Sequence, residues 1–304
     1  KLPSMTPEQF QHALSHQAQS STVQVKGAQI HYRRWPKPNA PGILLVHGHA
    51  AHARWWDHIA PALNQSFDVS AIDLSGAGDS QHRAVYSSRL FLEEMMAVTA
   101  DACYQSPVII AHSFGGTLAR IGCFLNPNWA RQLILMDSVI PTIKPPSPPM
   151  TGAAEAVSTK PNRAIRSPRV YATRLAAMKR FRLRPRQPLT HPHILAHLAH
   201  HSFRESEQGF EFKFDRAVFE KMAPMPDLPA GSEMMAAIQN KTSLVIGRNS
   251  VFFDPATPLG EKNLSTATKR LASQQIKFID DAGHHLLIDQ PLPVIETILS
   301  LTAG

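Results

Sequence analysis

Cysteine is scarce in this 304-residue chain: Cys103 and Cys123 are the only two. Two thiols make neither a disulfide framework nor a four-ligand metal site. Both fall in apolar stretches, where a buried free thiol is the expectation. Long apolar runs are missing as well. None approaches the roughly 18 residues that span a bilayer, and the N-terminal KLPSMTPEQFQHAL has no apolar signal-peptide core. No membrane span is expected, and the cytoplasm is the expected compartment. Acidic residues are absent from one long stretch: Lys160 to Arg186 holds ten Lys or Arg and no Asp or Glu. That window carries no nucleic-acid-binding motif and its two aromatics are not regularly interleaved. It reads as a solvated basic face that could steer anionic ligands, and no nucleic-acid partner is expected.

What is present is enough apolar residue, 43%, for a real core. An amphipathic helix and a Ser/Gln-rich connector fill the first twenty residues. TVQVK and QIHYRRW alternate about Gly27-Ala28, the pattern of a hairpin. ILLVH (43–47), FDVSAIDL (67–74), PVIIAH (107–112) and QLILMD (132–137) are continuous apolar runs, as expected of strands buried on both faces. Helices are predicted between them over 54–64, 88–104 and 115–125. Strand and helix in alternation predict a parallel sheet with helices on both sides. The rhythm stops after the proline-rich PTIKPPSPPM (141–150) and resumes with SLVIG (243–247), a helix near 256–273, IKFID (276–280) and a last helix near 292–302. Between lies a predicted helical insertion of about 90 residues, with no buried strand.

Two segments carry chemistry. In AHSFGG (111–116), Ser113 stands between a strand and a helix with small residues two before and two after it. A nucleophile at such a turn takes a strained conformation that only small neighbours tolerate, and it sits at the positive end of the next helix. Serine needs a base. DAGHHLLIDQP (281–291) follows the last predicted strand, so its first residues share the C-terminal rim of the sheet with Ser113. His284, directly after the turn, is the predicted base; His285 points elsewhere. HGHAAH (47–52) resembles most of an HxHxDH zinc site, but Ala51 stands where that site needs Asp. His52 and His58 read as polar residues at a helix start. The five histidines between His191 and His201 read as a polar helix: no HExxH is present and no acid lies nearby before Glu205. DLSGAGDS lacks the third glycine of a dinucleotide fingerprint. No metal and no cofactor are expected.

LLVHG (44–48), DLSGAGDS (73–80), AHSFGG (111–116) and AGHHLLIDQP (282–291) together resemble the α/β-hydrolase superfamily, in the branch with a helical lid after the sixth strand. They occur in the family's order and cover nearly the whole chain; Ala111 stands where Gly is commoner. The resemblance implies an α/β fold with a mostly parallel central sheet flanked by helices. It implies a core of residues 1–140 and 236–304 and an inserted lid over 141–235. It also implies an oxyanion hole from the amides of His49 and Phe114. Trp55 and Trp56 are candidates to line the pocket or to pack beneath the lid.

The triad's acid is where the sequence departs. The family most often places it about three residues after the glycine ending the seventh strand. SLVIGRNSVFFDP (243–255) has Asn249 and Ser250 there. Asp137, at the end of the sixth strand, is the favoured acid, since some members supply it from that position. Asp254, about four residues late in the expected loop, is the alternative. The expectation is a serine hydrolase cleaving a carboxylic ester of a small-molecule substrate through an acyl-serine. Still open are another acyl or C–C hydrolase, a cofactor-free ring-cleaving dioxygenase and a non-catalytic ligand-binding homologue. Haloalkane and epoxide hydrolysis in the superfamily's usual form needs a carboxylate where Ser113 stands.

Overall fold

A computed structural model describes residues 4–144, 169–225 and 227–303. Most of the proline-rich stretch, and Lys160 to Pro168 of the basic window, lie outside the described residues. The chain runs α1 (Pro7–Ser15), β1 (Gln19–Val25), β2 (Ala28–Trp35), β3 (Gly42–Val46), α2 (Ala60–Leu63), β4 (Asp68–Ile72), α3 (Ser88–Asp101), β5 (Val108–His112), α4 (Phe114–Leu125) and β6 (Gln132–Met136). Then come β7 (Val170–Tyr171), α5 (Arg174–Met178), α6 (Pro192–His201), β8 (Phe203–Ser206), β9 (Gly209–Phe212) and α7 (Gly231–Ala237). Last are β10 (Lys241–Gly247), α8 (Pro258–Arg270), β11 (Ile276–Ile279), α9 (Leu286–Asp289) and α10 (Pro291–Thr302).

Eight strands form one sheet in the order β1-β2-β4-β3-β5-β6-β10-β11. The β1–β2 and β2–β4 pairings are antiparallel; the others are parallel. The continuous apolar runs are explained by burial on both faces. Ile43 and Leu45 of β3 belong to one core, with α1, α2, α6 and α10. Leu44 and Val46, one residue out of phase, belong to the other, with α3, α4 and α8. The same alternation splits Val108 and Ile110 from Ile109 and Ala111 in β5. The ends of β5, β6, β10 and β11 thereby meet at one rim.

Three expectations are corrected. The insertion is not wholly helical: β7, β9 and β8 form a small antiparallel sheet. Its hairpin turns at Glu207-Gln208 with Gly209 at φ 130°, a two-residue turn without the Asn-Gly signal that marks most of them. The predicted helix over 54–64 is broken into a 3₁₀ turn, Ala53–Trp56, and the short α2, because Pro61 serves in the first turn of α2 and cannot continue a preceding helix. Cys103 is exposed just beyond α3, at φ 59°, whereas Cys123 is buried. His52 caps the start of the 3₁₀ turn and His58 stands two residues before α2, as expected of polar residues at a helix start, and both are buried. Nε2 of His52 pairs with Ser202 Oγ at 2.9 Å, and Nε2 of His58 with the carbonyl of Leu287 at 2.8 Å.

The DLSGAGDS segment is a structural turn built on Asp73. Its carboxylate accepts from His31 Nδ1 at 2.7 Å, from the Ala53 amide at 2.6 Å and from the Asp79 amide at 3.0 Å. Gly78 is required there: at φ 53°, a Cβ would lie 2.1 Å from Asp73 Oδ1. Among the described residues no helix is long and apolar enough to cross a membrane.

Burial lowers the pKa of His52 and His58 to about 4, favouring the neutral rings. A histidine with a lowered folded pKa binds its proton more readily when unfolded, so stability falls as pH drops below the ordinary value of about 6.5. Urea unfolding between pH 6.5 and 5 should show His58→Gln, which keeps a donor toward Leu287, with a slope smaller by up to about 1.4 kcal/mol per pH unit. Identical slopes for the two proteins would contradict the neutral assignment.

Candidate active site

Ser113 is the residue between β5 and α4, at φ 52° and ψ −119°. A non-glycine residue in that region is strained and persists only when its surroundings enforce it. Here they do. The Ser113 amide donates to the Met136 carbonyl of the neighbouring strand at 2.9 Å, and Ser138 Oγ donates to the Ser113 carbonyl at 2.8 Å. The small residues of the turn are steric necessities: a Cβ on Gly115 would sit 2.4 Å from the His47 carbonyl.

His284 follows β11 in the loop that leads into α9, and its Nε2 lies 3.0 Å from Ser113 Oγ. Its Nδ1 lies 2.7 Å from Oδ1 of Asp137. With Nδ1–H donating to the carboxylate, Nε2 is left as acceptor for the serine hydroxyl. Asp137, one residue beyond β6, is itself at φ 47°. Two further donors reach its carboxylate: the Ser250 hydroxyl at 2.6 Å on Oδ1 and the Gly247 amide at 2.9 Å on Oδ2. Burial raises its pKa, opposed by the hydrogen bonds from His284, Ser250 and Gly247. The other acid weighed from the sequence, Asp254, does not join the group. Its Oδ1 accepts from the Ala256 amide at 2.9 Å, a turn closed on itself before α8.

Ser250 is what sequence reasoning missed. It occupies the place where the family most often has an acid, and its hydroxyl donates to Asp137. The signal was in plain view, a small donor at the expected position, but a serine in a loop is too common to read without coordinates.

The loop after β3 packs against the serine: a Cβ on Gly48 would be 3.1 Å from Ser113 Cβ. His49 follows Gly48, and Phe114 opens α4. Among the described residues neither amide has a hydrogen-bond partner. Phe114 is the first residue of a twelve-residue helix, so its N–H has no partner within the helix and lies at the positive end of the helix dipole. The His49 ring stacks on Phe219, with centroids 4.5 Å apart, and so offers its side chain to the wall of the site.

Two other imidazoles, His112 and His285, pack against His284. His112 Nε2 pairs with the His284 carbonyl at 2.8 Å, and the two ring centroids are 4.8 Å apart. Burial, and then the neighbouring His284, hold the His112 pKa well below its ordinary value. The same causes bring His285 down to about 3. Both neighbours are therefore neutral near pH 7, so an imidazolium forming on His284 meets no like charge from them. His112, His284 and His285 do approach closely enough for three ring nitrogens to share an ion. Both nitrogens of His284 are already committed to Asp137 and Ser113, so the donor set does not fit a resident metal. His47, His49 and His52 of the zinc-like motif form no such group among the described residues, nor do the histidines of α6.

A cavity of about 360 Å³ opens beside this group, with His49, Trp55 and His285 in its lining. Tyr171, Phe181, Phe203, Phe212 and Phe214 form much of its wall. Ser113 and His284 do not line it directly; it meets them through His49 and His285. Of the two tryptophans proposed from the sequence, Trp55 lines the cavity. Trp56 does not: it is wholly buried in the core beneath.

Removing the Ser250 hydroxyl should weaken the hold on Asp137. Losing a hydrogen bond to a charged group costs about 1.5–3 kcal/mol. Ser250→Ala should show that loss in urea unfolding at pH 7, and an unchanged midpoint would contradict the assigned bond. Comparison with known proteins matches residues 43–297 to the alpha/beta hydrolase family. A human serine hydrolase-like protein is 30% identical over 109 residues, which is 35% of this chain and 54% of that protein. The matches to the mouse protein and to a second human one cover about a third of each, so the alignment spans about half or less of these curated relatives. A zebrafish (Danio rerio) serine hydrolase-like protein is 23% identical over 87% of this chain and 82% of its own length. Among solved structures, a thioesterase domain from the curacin biosynthetic pathway superposes with a TM-score of 0.72 at 24% identity, covering 93% of this chain and 99% of the domain. With the family match spanning most of the sequence and the sheet order seen above, the chain belongs to the alpha/beta hydrolase family.

Proposed function

We propose that this chain is a serine hydrolase that cleaves a carboxylic ester through an acyl-serine, with Ser113 as nucleophile, His284 as general base and Asp137 as the acid behind it. The observation that carries the reading is the continuous chain of contacts from Asp137 through His284 to Ser113 Oγ, at 2.7 and 3.0 Å. His284 Nε2 takes the hydroxyl proton as Oγ attacks the carbonyl. Asp137 holds the reactive tautomer and stabilises the imidazolium. The amides of His49 and Phe114 are the donors for the oxyanion, a contribution that is often the largest single one in acyl transfer. His284 returns the proton to the departing alcohol, then activates a water that releases the acid. The same arrangement serves thioesters, lactones and amides. The ester class is supported by a pimeloyl-[acyl-carrier protein] methyl ester esterase of Nitrosomonas europaea, 32% identical over 33% of this chain and 38% of that enzyme.

Residues 141–235 act in this reading as the cap that selects the substrate. The cap is tied to the core by polar contacts. Gln187 and Thr190 both donate to Asp289, at 2.7 and 2.9 Å, and His197 Nε2 meets Asp57 at 3.0 Å. It contributes Tyr171, Phe181, Phe203 and Phe212 to the cavity wall.

Hydrolysis of p-nitrophenyl esters of graded acyl length tests the assignment. Ser113→Ala should abolish turnover. Asp137→Asn should lower kcat by about 10⁴-fold, the effect of forcing the wrong histidine tautomer. Asp254→Asn should stay within a few-fold of wild type, and the reverse ranking of the two aspartates would overturn the choice of acid.

A further inference from the structure

The cavity beside the catalytic group has a charge asymmetry that ester cleavage itself does not need. Four arginines line it, Arg180, Arg182, Arg184 and Arg216, and among the described residues no aspartate or glutamate does. Three come from one extended strap after α5, in which Phe181 and Leu183 are buried in the cap and core while Arg180, Arg182 and Arg184 alternate outward. The fourth comes from the loop after β9, a separate part of the cap, so simple alternation along one segment does not account for the cluster. Arg182 is held in place by donating to the carbonyls of Lys179 and Phe181, at 2.8 and 2.7 Å. The Arg216 guanidinium lies 5.7 Å from the centroid of the Phe212 ring. Among the described residues none of the four has a carboxylate partner, whereas Arg204, on the neighbouring strand β8, is paired with Glu211. Arginines lining an aromatic-walled cavity, with no acid among its described lining residues, suit a carboxylate or phosphate, which guanidinium groups bind by paired, charge-assisted hydrogen bonds.

We propose that the ester substrate carries an anionic group, a carboxylate or a phosphate, which seats among Arg180, Arg182, Arg184 and Arg216 while its apolar body lies on the aromatic wall and its acyl carbon faces Ser113. This rests on the ester-hydrolase reading and narrows it to a substrate class. The test uses p-nitrophenyl esters of three acids of equal chain length, ending in a methyl, a carboxylate or a phosphonate. One or both anionic esters should exceed the methyl-ended ester in kcat/KM by about 10- to 100-fold, the worth of one or two hydrogen bonds to a charged partner. Which one leads identifies the anion. The advantage should shrink with added salt. It should fall at least several-fold in the double variant Arg184→Gln, Arg216→Gln. Equal rates on the three esters, or a ratio the double variant leaves unchanged, would overturn the proposal. Isothermal titration of Ser113→Ala with the free dicarboxylate and phosphonocarboxylate separates the two readings, because it needs no turnover. Salt-sensitive binding there, lost in the arginine variant, sustains the anion site even if no ester is cleaved. No binding of either acid overturns it even if the methyl-ended ester is turned over.

Discussion

The hydrogen bond between Asp137 and His284 is the contact on which the rest of the site depends. It joins the end of β6 to the loop after β11, two places 147 residues apart in the chain. The Gly247 amide and the Ser250 hydroxyl fix the same carboxylate from the end of β10 and the loop beyond it. One buried side chain therefore gathers three segments of the sheet rim and orients the histidine toward Ser113. A buried carboxylate is costly unless donors satisfy it, and here three do. The positive φ angles of Ser113 and Asp137 are borne at the same rim, where neighbouring strands lock both residues.

The fold supplies this geometry through simple means. A parallel sheet buried on both faces aligns its strand ends, and each crossover returns the chain to the same rim. The short turn into α4 puts Ser113 at the positive end of that helix, and the Gly48 turn brings the His49 backbone beside it. The buried His112 and His285, their pKa lowered by burial, pack against His284 and in the proposed mechanism would not oppose a positive charge on it. A different part of the molecule, the strap and small sheet of residues 170–216, supplies aromatics and arginines to the cavity lining.

Much of this was legible in the sequence because it rests on local chemistry. The apolar runs gave the buried strands, and the small residues around Ser113 gave the sharp turn. Asp137 was favoured because the resemblance to the α/β-hydrolases, some of which supply the acid from the end of the sixth strand, places that strand beside the nucleophile's. What escaped was whatever depends on contacts between distant segments. Ser250 looks like any loop serine until its hydroxyl is seen on Asp137. Trp55 and Trp56 are adjacent and chemically identical, yet one lines the cavity and the other is core, a difference set by the turn that carries them. The Glu207-Gln208 hairpin has no turn signature. The hydrogen-bond partners of the buried His52 and His58 are Ser202 and Leu287, far along the chain. The arginine strap was visible as a basic window, but that it shares the lining of one cavity with Arg216 was not.

The central claim is that Asp137 and His284 make Ser113 nucleophilic. Labelling with a fluorophosphonate, followed by mass spectrometry of the digested protein, addresses it most directly. The account requires one adduct, on the peptide that contains Ser113, formed rapidly in the wild-type protein and hardly at all in His284→Ala. An adduct on another residue, no adduct at all, or equal labelling rates in the two proteins would contradict it.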